Sequence, residues 1–520
     1  MTAPGLAAAF DAYEHALMTN DVEALDRLFA PGPATLRGDV TGLLVGHDAI
    51  SAFRRARGGA PPRRIVETHV REIDDEHALI VAVTELLTGG RGQQTQLWEH
   101  RDGTWVITAA HVSSAAAALD GRIWRLVGDP LLPRSREGSL SGESVAVKDL
   151  YAVAGQRVGA GNPARLEAAE PEPEHAWAVE RLLAEGADVR GISRTDEFAF
   201  GLAGTDTHYG APPNPRAAQR VPGGSSSGSA SAVSLGHATI GLGTDTGGSV
   251  RVPAAYQGLW GIRTTHGAVS VRGLLPLSPS FDTVGWLTKG PALLSRVAGS
   301  LLPPDETTPG DSVTAEALLG LAEPDIAESI RALVADIPRI DWTFDSSAML
   351  TTFQTLQAYE AWQVHGPWLT TRWDTLRPDV RGRFERAAAV STGEADRARR
   401  EVAVLRIRIR ELLRDRVLVL PSASSVAPPV HDSDAVHAIR TATMQLTCIA
   451  GIAGLPAVSV PGETRAGLPF GMCLVGPPRS DRGLIALAER WHRRSPDDGH
   501  PDLTTSHGPE RDSRDTRTGS

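Results

Sequence analysis

The chain has 520 residues, 41% of them hydrophobic and 22% charged, with 52 basic against 62 acidic side chains and a formal net charge of −10. At roughly 150 residues per domain this length allows two to four domains with an ample core, and the acidic balance argues against a nucleic-acid partner, which demands a basic face. Cys448 and Cys473 are too few for a disulfide framework, the N-terminus lacks a signal-peptide pattern, and no run of about 18 apolar residues is present to span a membrane, so a cytoplasmic protein without membrane association is expected.

From residue 7 to residue 30 the pattern is helical. Phe10, Tyr13 and Leu17 share one face, and Asn20 with Glu23 reads as a capping box opening a second helix. Strands are predicted over 64–73, 77–87, 93–100 and 104–113, the last two joined by an Asp102-Gly103 turn. Helices followed by antiparallel strands predict a small α+β domain over residues 1–115. Residues 116–142, rich in Pro, Gly and Ser toward the end, read as a linker.

After Ser144 the pattern changes. A short apolar strand at 144–147 runs into Lys148-Asp149, followed by a helix at 174–185 and an extended run at 188–193. A helix at 229–236, a strand at 239–242 and a helix at 250–257 come next. This alternation predicts a mostly parallel sheet covered by helices, in a domain spanning 143–494. The segment 394–416, with eight Arg and five acids, reads as a solvated helix face, and 495–520 as a disordered tail.

The chemistry concentrates in Pro222-Gly-Gly-Ser-Ser-Ser-Gly-Ser and, further on, Gly243-Thr-Asp-Thr-Gly-Gly-Ser-Val-Arg. A flexible Gly/Ser linker is the plain reading, but the tract lies between ordered elements. A phosphate loop is excluded, because neither block has the lysine of GxxxxGK[ST] or a GxGxxG between strand and helix. Gly224-Ser-Ser-Ser-Gly matches the nucleophile elbow GxSxG centred on Ser226; that elbow must follow a strand, whereas Arg220-Val-Pro-Gly is turn chemistry. A hydroxyl nucleophile needs a base, and a lysine serves at neutral pH only if burial destabilises its ammonium. Lys148, one of very few lysines, closes an apolar strand and suits that role; taken alone, a surface lysine or a partner for Asp149 accounts for it as well. Asp245 reads as a cap or brace for its loop, and Arg251 as a loop brace or a grip on an anionic substrate. His208, His237 and His266 lack a Ser/Asp constellation, and without HExxH or CxxC no metal or cofactor is expected.

Lys148 in Ala-Val-Lys-Asp, the Gly223-Gly-Ser-Ser-Ser-Gly-Ser tract and Gly243-Thr-Asp-Thr-Gly-Gly-Ser-Val-Arg resemble the amidase signature family. So do Asp196-Glu-Phe-Ala-Phe-Gly, Ser280-Phe-Asp-Thr-Val-Gly-Trp and Ala453-Gly-Leu-Pro-Ala-Val-Ser-Val-Pro, and the likeness covers roughly 140–490. The resemblance implies an α/β amidase-signature fold and an amidohydrolase of small-molecule amides. It assigns Ser249 as nucleophile, Ser225 as the cis-serine relay and Lys148 as base. It also places the N–H groups of Thr246, Gly247 and Gly248 in an oxyanion hole. Ser227 departs from the commoner tract, which has glycine there.

Residues 1–115 resemble the SnoaL-like, nuclear-transport-factor-2-like cone fold, and within it the AtzH-like group. The likeness rests on Tyr13-Glu-His-Ala-Leu, Asp21-Val-Glu-Ala-Leu-Asp-Arg-Leu-Phe, Gly46-His-Asp-Ala-Ile-Ser-Ala-Phe-Arg and Trp105-Val-Ile-Thr-Ala-Ala-His-Val-Ser. AtzH-like proteins hydrolyse carboxylated ureas, so the resemblance implies a pocket for a small anionic amide, with Tyr13, Arg37 and His111 as candidate lining residues. A cone that only packs or forms a homodimer is the alternative, and Arg37-Gly-Asp stands where that group carries Arg-Tyr-Gly. Three other functions stay open: a carboxylated-urea or biuret-type hydrolase using both domains, an esterase using Ser226, and a non-catalytic ligand-binding module or amidotransferase-type subunit.

Overall fold

The computed structural model describes residues 3–493 except 40, 41, 58, 59, 61, 87–90, 114–119 and 206, so the expected tail lies outside the described residues. The N-terminal part opens with the helices Leu6–Thr19 and Val22–Leu28. The second is capped by Asp21, whose carboxylate accepts from the N–H of Ala24 at 2.9 Å, and not by Asn20. Asn20, at φ 55°, instead closes the first helix in the left-handed conformation that asparagine tolerates.

Six strands follow: β1 (Leu36–Asp39), β2 (Gly42–Val45), β3 (Arg63–Glu72), β4 (His77–Leu86), β5 (Arg91–Arg101) and β6 (Thr104–Ser113). They form one sheet in the order β2-β1-β6-β5-β4-β3. The four long strands lie where the alternation placed them, and Asp102 and Gly103 both take positive φ in the β5–β6 turn. The β1–β2 hairpin and the helix His47–Arg57 were not visible in the sequence; the two strands have only four residues each, too short for a clear period. Phe10, Tyr13, Phe29, Ile80, Trp98 and Ile107 pack as the core of this part.

A second sheet of ten strands adds β7 (Trp124–Leu132), β8 (Ser144–Lys148), β9 (Asp188–Ser193), β10 (Ile240–Asp245), β11 (Trp260–Arg263), β12 (Thr283–Thr288), β13 (Ser312–Thr314), β14 (Val417–Pro421), β15 (Ala457–Glu463) and β16 (Pro469–Val475). Their order is β13-β14-β16-β15-β11-β12-β10-β8-β9-β7. The sheet is mixed and helix-covered, but the expected parallel majority is corrected: only β8/β9, β8/β10 and β13/β14 pair in parallel. Parallel neighbours need a long crossover, which the helical segments before β9 and β10 supply, whereas β15 and β16 join through a short turn and pair antiparallel. The linker is corrected as well. Residues 124–132 form β7, the edge strand against β9, where Pro130 is tolerated because an edge strand can spare a donor.

Both faces of the second sheet are buried. Along β14, Val417 and Val419 join one apolar cluster while Leu418 and Leu420 join the other. The Arg-rich segment is the helix Thr392–Leu413; Ala398, Val402, Leu405 and Ile409 pack inward and most of its arginines face solvent. Among the described residues no helix is long and apolar enough to cross a membrane, and no cluster of His, Cys, Asp or Glu is set to hold a metal.

Candidate active site

β8 and β10 lie side by side in parallel, so Lys148 at the end of one comes close to Thr244 near the end of the other. Lys148, one of two lysines in the chain, is completely buried. Its Nζ donates to Ser225 Oγ at 2.8 Å, to Ser226 Oγ at 3.0 Å and to Thr244 Oγ1 at 2.8 Å. Burial pushes its pKa down from 10.5 to about 7, against the opposing pull of Asp196, Asp245 and Asp282. Asp149, the alternative partner, is engaged elsewhere, with Arg125 at 3.0 Å and the N–H of Gly159 at 3.1 Å.

Ser225 is wholly buried and the Gly224–Ser225 peptide is cis. The Ser225 carbonyl accepts from Thr195 Oγ1 at 2.9 Å and from the N–H of Asp196 at 3.2 Å, which fixes this segment against the end of β9. The next residue ties in the candidate nucleophile: the N–H of Ser226 donates to the carbonyl of Ser249 at 3.2 Å. Ser225, Ser249 and Lys148 are thus brought into one buried centre. Ser226 precedes the helix Ser227–Ser234, but no strand leads into it and its ionisable partner is Lys148, so the elbow arrangement is not built.

The loop from Asp245 to Ser249 is braced from outside. Arg263 Nη1 donates to the carbonyls of Asp245 at 2.6 Å and Thr246 at 3.1 Å, and Thr447 Oγ1 donates to the carbonyl of Gly247 at 2.6 Å. A trans peptide points its N–H opposite its carbonyl, so bonding these oxygens sets the direction of the N–H that follows each. Among the described residues, the N–H groups of Thr246 and Gly247 have no protein acceptor, as oxyanion donors require. Gly248 is a correction to the expected hole: its N–H donates to Asp245 Oδ1 at 3.0 Å. Gly248 has φ 117°, and a Cβ there would sit 3.0 Å from the Thr447 methyl, so only glycine fits.

Asp245 is the brace. It accepts from the N–H of Gly248 and of Val250, from Arg251 through Nε at 3.0 Å and Nη2 at 2.8 Å, and from Arg263 at 3.1 Å. The two guanidiniums hold its carboxyl well below the usual carboxylate range, against the upward push of burial. Arg251 is likewise buried and spent on Asp245 and the carbonyl of Thr447, so it is not placed to grip a substrate. Asp282, which sequence reasoning missed, accepts from Thr246 Oγ1 at 2.6 Å, and burial pushes its pKa up to about 6. Only the Phe-Asp-Thr-Val-Gly run pointed toward it.

In the N-terminal part, Tyr13 and Arg37 are both buried. Arg37 pairs with Asp39 at 2.8 Å, and its guanidinium lies 4.5 Å from the Phe53 ring centre. Burial and the neighbouring Glu14 raise the Tyr13 pKa, Arg54, Arg63 and Arg37 oppose that rise, and Arg63 is itself paired with Glu14 at 2.9 Å. Arg54 and Arg63 were missed. His111 is a correction: it is exposed on β6, whose pairing with β5 slips at Thr108 and turns every later side chain to the other face.

The chain matches the amidase family over residues 124–317 and the AtzH-like family over residues 3–118. It is 33% identical over 404 residues to Amidase 1 of Arabidopsis thaliana, covering 69% of this chain and 95% of that one. It is also 33% identical over 419 residues to the 2-amino-5-chloromuconic acid deaminase of Comamonas testosteroni, covering 74% and 86%. Among solved structures it superposes with a TM-score of 0.63 and 26% identity on an inhibitor-bound vestigial protein complex described as revealing the origins of an s-triazine catabolic enzyme, covering 69% of this chain and 85% of that one.

Proposed function

This chain belongs to the amidase family and is an amidohydrolase carrying an AtzH-like domain, and from that premise we propose that it cleaves the C–N bond of a small amide through a Ser249 acyl-enzyme. The observation that carries the proposal is the Lys148 amine, fully buried, bonded to three hydroxyls and held at a pKa of about 7. Half of such an amine is neutral at neutral pH, and a neutral amine accepts a proton. Lys148 takes the proton of Ser225, Ser225 takes that of Ser249, and Ser249 Oγ adds to the amide carbonyl. The N–H groups of Thr246 and Gly247 receive the developing oxyanion, each such donor being worth about 3 kcal/mol of transition-state stabilisation. As the tetrahedral species collapses, the same relay returns the proton to the departing nitrogen, which leaves as ammonia or an amine. Water then loses a proton to the relay, adds to the ester, and releases the acid with Ser249 restored.

We place the reaction in the cytoplasm, on the support of two buried cysteines that are both free thiols. In the AtzH-like domain, Tyr13 near Arg54, Arg63 and Arg37 supports a second pocket for a small anion, while the Arg37–Asp39 and Arg63–Glu14 pairs offset much of its positive charge.

Labelling with a fluorophosphonate tests the nucleophile. The wild-type chain should be modified at Ser249 with loss of ammonia release from amides. Ser249→Ala should be neither labelled nor active, and a Ser249→Ala protein still labelled at Ser226 would replace this scheme with one built on Ser226.

A further inference from the structure

The entry to β12 lies against the oxyanion loop. β10 and β12 run antiparallel with Asp245 opposite Thr283, and the same count places Thr246, the first residue past β10, opposite Asp282. Three successive residues meet the loop there. The carbonyl of Phe281 accepts from Arg263 Nη2 at 2.8 Å, while Nη1 of the same guanidinium serves the carbonyls of Asp245 and Thr246. Asp282 Oδ1 accepts from Thr246 Oγ1 at 2.6 Å, and Thr283 Oγ1 donates to the carbonyl of Asp245 at 3.0 Å. Thr246 is therefore held by its carbonyl and by its hydroxyl. Its Cα then keeps one orientation, and the N–H attached to it keeps one direction.

Asp282 is itself firmly mounted. Its Oδ2 accepts from the N–H groups of Leu277 at 2.8 Å and Ser278 at 2.9 Å. The carbonyl of Ser278 accepts from the N–H groups of Phe281 and Asp282, both at 2.9 Å, so residues 277–282 close around the carboxylate. Glu360, on the helix Ser346–Leu369, clamps this turn from outside, accepting from Ser278 Oγ at 2.6 Å and from the N–H of Ser280 at 3.0 Å. The same carboxylate bears on the base. Asp196, Asp245 and Asp282 face Lys148, and each opposes the downward push of burial on its amine. Asp245 is paired with Arg251 and Arg263, whereas Asp282 faces Arg263, Lys148 and the buried phenol of Tyr151. Burial lifts Asp282 only to about 6, so it is charged at neutral pH.

We infer that Asp282 is a positioning residue of the hydrolytic centre, aiming the Thr246 N–H at the oxyanion through the Thr246 hydroxyl and lending its charge to the Lys148 amine. This rests on the Ser249 acyl-enzyme reading and adds one residue that acts on the oxyanion hole and the base together.

The test follows modification of Ser249 by an alkyl fluorophosphonate. In that step Oγ bonds phosphorus, fluoride leaves, the proton passes to the relay, and the phosphoryl oxygen takes the oxyanion's place. Asp282→Asn should slow the reaction about 10- to 100-fold at pH 8, in the maximal rate rather than in the half-saturating concentration, because an oxyanion donor acts in the transition state. Thr246→Val, which keeps the backbone N–H, should lose a similar factor, and Thr246→Ser should keep most of the rate. The Asp282→Asn, Thr246→Val double variant should match Asp282→Asn within about twofold, as expected of two residues acting through one bond. The pH profile separates the two roles. A rise of about tenfold from pH 6 to pH 8 should remain in Thr246→Val and shrink to about fivefold or less in Asp282→Asn, because loss of the neighbouring negative charge lowers the Lys148 pKa. A wild-type rate in Asp282→Asn, or single losses that multiply in the double variant, overturns the inference, and an Asp282→Asn profile that matches wild type overturns the part given to its charge. If the wild-type chain is not labelled at Ser249, the acyl-enzyme reading fails and hydrogen exchange decides Asp282 alone. Backbone amides in a peptide covering residues 244–249 should then exchange about fivefold faster in Asp282→Asn and in Thr246→Val, with circular dichroism unaltered. Unchanged exchange there removes Asp282 from the loop.

Discussion

Replacing Lys148 by methionine keeps an unbranched side chain one atom shorter, removes the titrating amine, and turns the depressed pKa into a measurable stability. The amine falls from 10.5 to about 7 on folding, so between these values the unfolded chain binds the proton and the native chain does not. Stability of the wild-type protein therefore contains a contribution that rises with pH across that window and is fully lost below pH 7. At about 1.4 kcal/mol per pKa unit, the buried ammonium costs about 5 kcal/mol at pH 6 and about 2 kcal/mol at pH 9. Lys148→Met carries neither cost. It does leave the hydroxyls of Ser225, Ser226 and Thr244 without their donor, at about 1 kcal/mol each. The variant should thus be more stable than wild type by about 2 kcal/mol at pH 6 and slightly less stable at pH 9. Urea unfolding followed by tryptophan fluorescence at both pH values gives the two differences, and titrating groups distant from Lys148 cancel between the proteins. A stability difference that is the same at pH 6 and pH 9 would refute the reasoning, because it would mean that Lys148 ionises alike in the folded and unfolded chains.

The same pKa governs turnover. The neutral fraction of an amine with a pKa of about 7 rises about tenfold from pH 6 to pH 8 and then levels, so kcat/KM should follow that curve; a rise of about 100-fold over this span with no plateau would indicate an unshifted lysine. Asp245→Asn leaves Arg251 and Arg263 buried without their counter-charge, which should cost about 3–5 kcal/mol in thermal or urea unfolding, and a loss below about 1 kcal/mol would show that this brace is dispensable.

The residues of the proposed Lys148–Ser225–Ser249 relay were legible because they sit in ordered runs. Lys148 ends an apolar strand, and two glycine–serine blocks flank a helix and a strand whose patterns are plain. What the sequence hid was direction. The loop after β10 offers three consecutive N–H groups, and nothing in Thr-Gly-Gly says that Gly248 turns its own toward Asp245. That choice is made by Arg263 and Thr447, which arrive from distant elements and pull on the carbonyls. His111 failed for a related reason: counting alternate residues from Trp105 and Ile107 puts it inside, and one extra residue at Thr108 reverses the count. The strand order failed more broadly, because the alternation of strand and helix was read only as far as residue 257, while β11 to β16 follow a different connectivity.

The partners of Lys148 lie 77, 78 and 96 positions away along the chain. No local segment, and no single hairpin, contains Lys148 together with either serine of the proposed relay. The pairing of β8 with β10 closes a loop of about 95 residues, the kind of distant contact that forms slowly and late. A newly made or partly collapsed chain therefore holds an ordinary solvated lysine and ordinary serines, with no hydrolytic power toward its surroundings. Nucleophilicity in this protein is a property of the finished sheet, and the return of activity after denaturation serves as a clock for its last steps.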